Sequence, residues 1–88
     1  MKNLGTNEFV RWLLRRIRSF CSSIVAEEIL CLYESIQLTL ALCESPAICD
    51  IIINDSTSVD TLLLTLRSAY SDTISSEISK IFNKLRLQ

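Results

Sequence analysis

The chain is 88 residues long, 49% hydrophobic and 22% charged, with a formal net charge of −1. That is enough for one domain with a thin core, burying roughly 60–65% of its unfolded surface, so apolar side chains beyond the core's need point to a contact surface. Having no histidine, one glycine (Gly5) and one proline (Pro46), it lacks an imidazole base for neutral pH and a glycine-rich phosphate loop, and its pattern argues against a hairpin-rich sheet.

The spacing predicts a first helix over roughly Asn7 to Cys21. Thr6 or Asn7 can cap it, and Glu8 suits the positive end of its dipole. Phe9, Leu13, Ile17 and Phe20 recur at helical intervals, with Val10, Leu14 and Cys21 beside them. Arg11, Arg15 and Arg18 share another face at i, i+4, i+7.

Ser22-Ser23 reads as a break and a cap. A second helix follows from Ile24 to about Cys43, striped by Val25, Ile29, Leu32, Ile36 and Leu40 and widened by Leu38, Leu42 and Cys43. A helix apolar over that much of its circumference is expected at the centre of the bundle. Ser45-Pro46 has the form of a cap and first helical position. From Pro46 to Asn54 the pattern is ambiguous: a short helix, or an extended Ile51-Ile52-Ile53, with helix or irregular packing favoured because no second strand offers a partner. Asn54 to Ser58 reads as the clearest loop.

A third segment runs from about Val59 to Ser71, with Val59, Leu62, Leu63, Leu66, Ala69 and Tyr70 on its apolar face and Thr57 and Asp60 as a capping pair. Thr73 is expected to cap the fourth, striped by Ile74, Ile78, Ile81, Phe82 and Leu85, with Lys80, Lys84 and Arg86 near its negative end. Together these elements predict an all-α, single-domain antiparallel bundle of about four helices over residues 1–88.

Charge is unevenly spread. Residues 1–21 carry five cations against Glu8, a balance of +4, and residues 22–88 carry four cations against nine acids, a balance of −5. Such asymmetry points the first segment at a charged partner. The arginine stripe is then either a solvated face or a contact for RNA or an acidic partner. Phe9 and Trp12 fall on or beside the apolar face, which argues against a stacking platform for bases. A peripheral membrane role for the first helix is opposed by the acidic remainder.

Site chemistry points away from an enzyme. The acids are scattered as solvated helix faces. Cys21, Cys31, Cys43 and Cys49 have no C-x-x-C spacing and read as reduced, buried thiols, with neither metal nor cofactor expected. Cys31 or Cys49 as a nucleophile has no base beside it. The most apolar stretch, Ile29 to Cys43, contains Glu34 and is shorter than the roughly 20 residues a bilayer span needs.

One local run is more specific. Leu32-Tyr33-Glu34-Ser35-Ile36 resembles the Leu-His-Asn-(Asp or Glu)-Ile run in the second helix of the non-structural protein 7 family of coronaviruses and related nidoviruses. Tyr33 and Glu34 stand where that family has His-Asn. The Ser22-Ser23 break resembles the family's serine-containing break between helices one and two. Ile78 to Gln88 resembles its last helix and terminal Leu-Gln, in which Leu87 and Gln88 would be the residues recognised by a main protease.

The resemblance implies a non-catalytic subunit of a viral RNA-dependent RNA polymerase complex in the host cell cytoplasm, at perinuclear replication complexes. Its partners would be a larger helical replicase cofactor of the non-structural protein 8 kind and the polymerase itself. RNA contact would be indirect or through Arg11, Arg15 and Arg18. Val10, Leu13, Leu14 and Ile17, then Leu62, Leu63 and Leu66, are the candidate partner-binding residues, with ordinary core as their other reading. An alternative function is a small cytosolic helical interaction module unrelated to replication, such as a viral accessory or decoy protein. An oligomer is compatible with either.

Overall fold

The start of each helix is set by a short polar contact. The computed structural model describes residues 5–69 and 71–86. Tyr70 and the Leu87-Gln88 pair therefore lie outside the described residues, as do residues 1–4. The first helix, α1, spans Thr6–Phe20. Its N-cap is Gly5, one residue earlier than expected, because the Glu8 carboxylate reaches back to accept the Gly5 N–H at 3.3 Å. Ser23 organises the entry to α2 (Ala26–Leu42): its hydroxyl accepts the Val25 N–H at 3.1 Å and donates to Glu28.

Pro46 opens a third helix, α3 (Pro46–Ile53), at the first helical position, and Ser45 holds the N-cap position without a side-chain capping bond. The isoleucine run is helical. It turns sharply away from α2, the two axes being bent by 119°. The expected loop over 54–58 shrinks to Asn54 and Asp55. Asp55 accepts the Thr57 N–H at 3.1 Å and the Ser58 hydroxyl at 3.0 Å, so the polar cluster becomes the first turn of α4 (Ser56–Ser68). The Thr57 and Asp60 capping pair is displaced by this earlier cap. Likewise Ser71, two residues before Thr73, accepts the Ile74 N–H at 3.2 Å and begins α5 (Asp72–Leu85). The segmentation read from sequence thus becomes five helices, with no strand among the described residues.

Packing follows the stripes. Helix α1 lies against α2 and α4, α5 closes the other side against α2 and α4, and α3 meets α1, α4 and α5. Ile17, Ile36, Ile52, Leu62 and Ile78 bring one wholly buried side chain from each helix into the core. Each contributes about 1.5–3 kcal/mol by leaving water. The radius of gyration is 12.4 Å, near the roughly 12 Å of a compact chain of this length.

Helix α2 is not central. Its extensive contacts are with α1 and α5 alone. It buries Leu32, Ser35, Ile36 and Thr39, while Leu30 and Leu38 remain exposed. Three small hydroxyl residues at the helix contacts, Ser35, Thr39 and Thr65, donate to carbonyls of their own helix one turn back. That satisfies the buried oxygens locally and leaves the interfaces between helices apolar.

Candidate interaction surfaces

Of the seven apolar residues expected to face a partner, five belong to the chain's own core. Val10, Leu13, Leu14, Ile17 and Leu62 are all buried. Leu66 is half-buried, and Leu63 alone is exposed. The core reading therefore replaces the partner reading for those five, because each stripe points inward onto neighbouring helices.

The apolar side chains left in water lie elsewhere. Ile24 is 75% exposed and Leu30 56%, and Val25 and Leu38 are also in solvent. They form a strip from the α1–α2 connection along the outer side of α2. Glu27 and Glu34 share that side with Leu30 and Leu38 at intervals of three and four, the spacing of one helix face. Helix α2 contains three glutamates and no cation. The sequence held this signal: glutamates interleaved with leucines at helical intervals mark a solvent-facing side, whereas the width of the apolar stripe pointed to burial. Within the Leu32 to Ile36 run, Leu32, Ser35 and Ile36 are buried and Glu34 is exposed.

The second surface is the outside of α1, where the structure corrects the expected placement of the aromatics. Phe9 and Trp12 project into solvent, 39% and 47% exposed, and stack on each other with ring centroids 5.9 Å apart and planes 21° apart. Arg16 braces this pair. Its guanidinium lies 5.6 Å from the Trp12 ring centre and 5.7 Å from that of Phe20, and its Nε–H donates to Ser35 Oγ on α2 at 3.2 Å. Beside Phe9 and Trp12 lies a concavity of about 440 Å³ less 20, that is ≈ 420 Å³, which Glu8 and Arg15 also line.

On the other flank of α1 the arginine stripe meets the start of α4. Arg11, Arg15 and Arg18, with Leu14, form one wall of a groove of about 270 Å³; Asp55, Thr57, Ser58 and Thr61 form the other. Arg11 Nε lies 3.9 Å from Asp55 Oδ2. Among the described residues, the guanidinium groups of Arg15 and Arg18 have no ion pair or hydrogen-bond partner. Three cations facing one carboxylate leave the groove positive. The sequence placed these arginines on one face, and the fold adds the opposing wall.

The thiols do not build a reactive centre. All four are free; Cys21 and Cys43 are buried, and Cys31 and Cys49 are half-buried, which departs from the expectation of four buried thiols. Cys49 donates its S–H to the Cys43 carbonyl, with 3.1 Å between Sγ and O. Burial, reinforced by Cys49, pushes the Cys43 thiol up to about 12, so it stays protonated and is a poor nucleophile. Among the described residues no three His, Cys, Asp or Glu side chains gather to hold a metal ion, and no single helix is long and apolar enough to cross a membrane.

Comparison of the chain with protein-family models, curated proteins and solved structures yields no match.

Proposed function

We propose that this chain is a non-catalytic subunit of a viral RNA-dependent RNA polymerase complex, working in the host cytoplasm, and that it docks a larger helical partner of the non-structural protein 8 kind through the outer side of α2. The observation that carries the reading is the strip Ile24, Val25, Leu30 and Leu38, exposed between Glu27 and Glu34. Helical partners bind such surfaces by laying down an apolar face with anchors at i, i+3 and i+4. A side with glutamates and no cation selects a partner helix whose apolar stripe is flanked by lysine or arginine. The similarity of Leu32 to Ile36 to the non-structural protein 7 run gives the partner's identity, and the two lines of support are independent.

The test is co-elution of the purified chain with the helical replicase partner, paired with primer extension by the polymerase. A Leu30→Glu/Leu38→Glu variant should keep its helical circular dichroism, since both side chains are in solvent, yet bind the partner about tenfold or more weakly, the scale of a lost interface anchor, and shorten the products. Unchanged binding and unchanged product length would falsify the assignment.

A further inference from the structure

We propose that the outer surface of α1 binds single-stranded RNA, seating a backbone phosphate in the groove between α1 and α4 against Arg15 and Arg18 while an unpaired base extends the Phe9–Trp12 stack. RNA as the strand rests on the polymerase-subunit reading above; the geometry of the site does not.

Three observations converge. The first is unbalanced charge. Arg11, Arg15 and Arg18 line one groove with a single carboxylate, and Asp55 is already occupied as the α4 cap, accepting from Thr57 and Ser58. Like charges one turn apart repel, and an anion between them removes that repulsion. Guanidinium groups suit phosphate oxygens because their planar forks donate two parallel hydrogen bonds.

The second is the exposed aromatic pair on the same helix. Every base has a π-face, so stacking on Trp or Phe supports binding to an unpaired strand without reading sequence. A double helix keeps its bases stacked internally and has no use for this platform, and an acidic peptide would use the arginines alone.

The third is the position of Arg15. It lines both the arginine groove and the concavity beside Phe9 and Trp12. One residue thus joins a phosphate-binding feature to a base-stacking one, as a nucleotide joins phosphate to base. Arg16 is withheld from this role by Ser35 and by the Trp12 and Phe20 rings, and it holds the platform in place.

Trp12 is the only tryptophan in the chain, so its fluorescence reports on the site. The experiment titrates the full chain, without any partner protein, with oligouridylate of about ten nucleotides, and separately with inorganic phosphate. Oligouridylate should quench Trp12, with a salt slope of about −0.7 for each phosphate contact. An Arg15→Glu/Arg18→Glu variant should weaken binding about tenfold or more and lower the slope by about 1.4. Asp55→Asn keeps a good cap residue and should tighten binding. An Arg67→Glu/Arg86→Glu variant, exposed and outside the groove, makes the same change in net charge and should bind nearly as well as the unaltered chain.

Loss of binding by this control equal to that of Arg15→Glu/Arg18→Glu overturns the groove in favour of general charge attraction. Binding of phosphate without binding of oligouridylate overturns the assignment to RNA, and no quenching by oligouridylate overturns the platform. Because the partner is absent from the titration and α2 is unaltered, failure here is distinguishable from failure of the docking surface on α2.

Discussion

Gln37 on α2 and Glu77 on α5 are joined by a hydrogen bond in which the amide N–H donates to the carboxylate. Glu77 is the only acid among the described core residues, and Lys80 Nζ approaches its other oxygen at 2.7 Å. The hydrogen bond from Lys80, then that from Gln37, hold the Glu77 carboxyl below its ordinary value, and Lys80 is raised in turn, chiefly by its hydrogen bond to Glu77. A depressed carboxylate contributes stability that is present above its unfolded pKa and is lost as pH falls through the folded one. A raised lysine contributes below its unfolded pKa and loses that contribution as pH rises through the folded one. Glu77→Gln should therefore lower the melting temperature near pH 7 and lower it less at pH 3. A deficit that stays constant between the two would show that the charge on Glu77 does not stabilise the α2–α5 contact.

Ile36 and Ile78 are wholly buried on those same two helices. Truncating either to alanine removes its transfer energy and leaves a cavity, at a cost of about 2–5 kcal/mol. In a domain this small that is much of the total stability. Urea denaturation should show a lower midpoint for both variants; a loss below about 1 kcal/mol would mean the site collapses freely around the gap.

Thr39 and Thr65 are equally buried, yet their hydroxyls donate to the carbonyls of Ser35 and Thr61, one turn back on their own helices, at 2.8 Å. Those carbonyls also belong to the helical backbone ladder. Replacing either threonine with valine should shift stability by no more than about 1 kcal/mol. A loss above about 2 kcal/mol would reveal that the hydroxyl has a partner across the interface.

The cysteines offer a chemical map of burial. With Cys43 buried and its thiol pushed up to about 12, the native chain at pH 8 should leave Cys43 unlabelled by iodoacetamide while the half-buried Cys31 and Cys49 react first. Denatured chain should label at all four. Peptide mapping of the alkylated sites decides it, and early modification of Cys43 in folded protein would contradict its burial.

The helices legible in the sequence were those with narrow stripes. In α1, Val10, Leu13, Leu14 and Ile17 turn inward together, and in α5 so do Ile74, Ile78, Ile81 and Leu85. Their opposite faces are polar, so only one orientation hides the apolar groups. In α2 leucine and isoleucine extend so far round the helix that periodicity alone could not choose the buried side. The run from Asn54 to Ser58 has the composition of a loop, and local hydrogen bonding by Asp55 makes most of it a helix start. Likewise, Phe9 and Trp12 adjoin the apolar face of α1, and only the positions of α2 and α4 leave them in solvent.

The sequence by itself determined that this chain is helical, that its arginines share one side of the first helix, and that it lacks the histidine and glycine-rich chemistry named at the outset. These are properties of composition and of spacing within one helix. Tertiary structure decided which apolar residues were spent on the core and which remained for a partner, and it set the arginines opposite Asp55 across a groove. Those outcomes depend on how helices distant in sequence pack together, where several orientations satisfy the local pattern and only the shared core selects one.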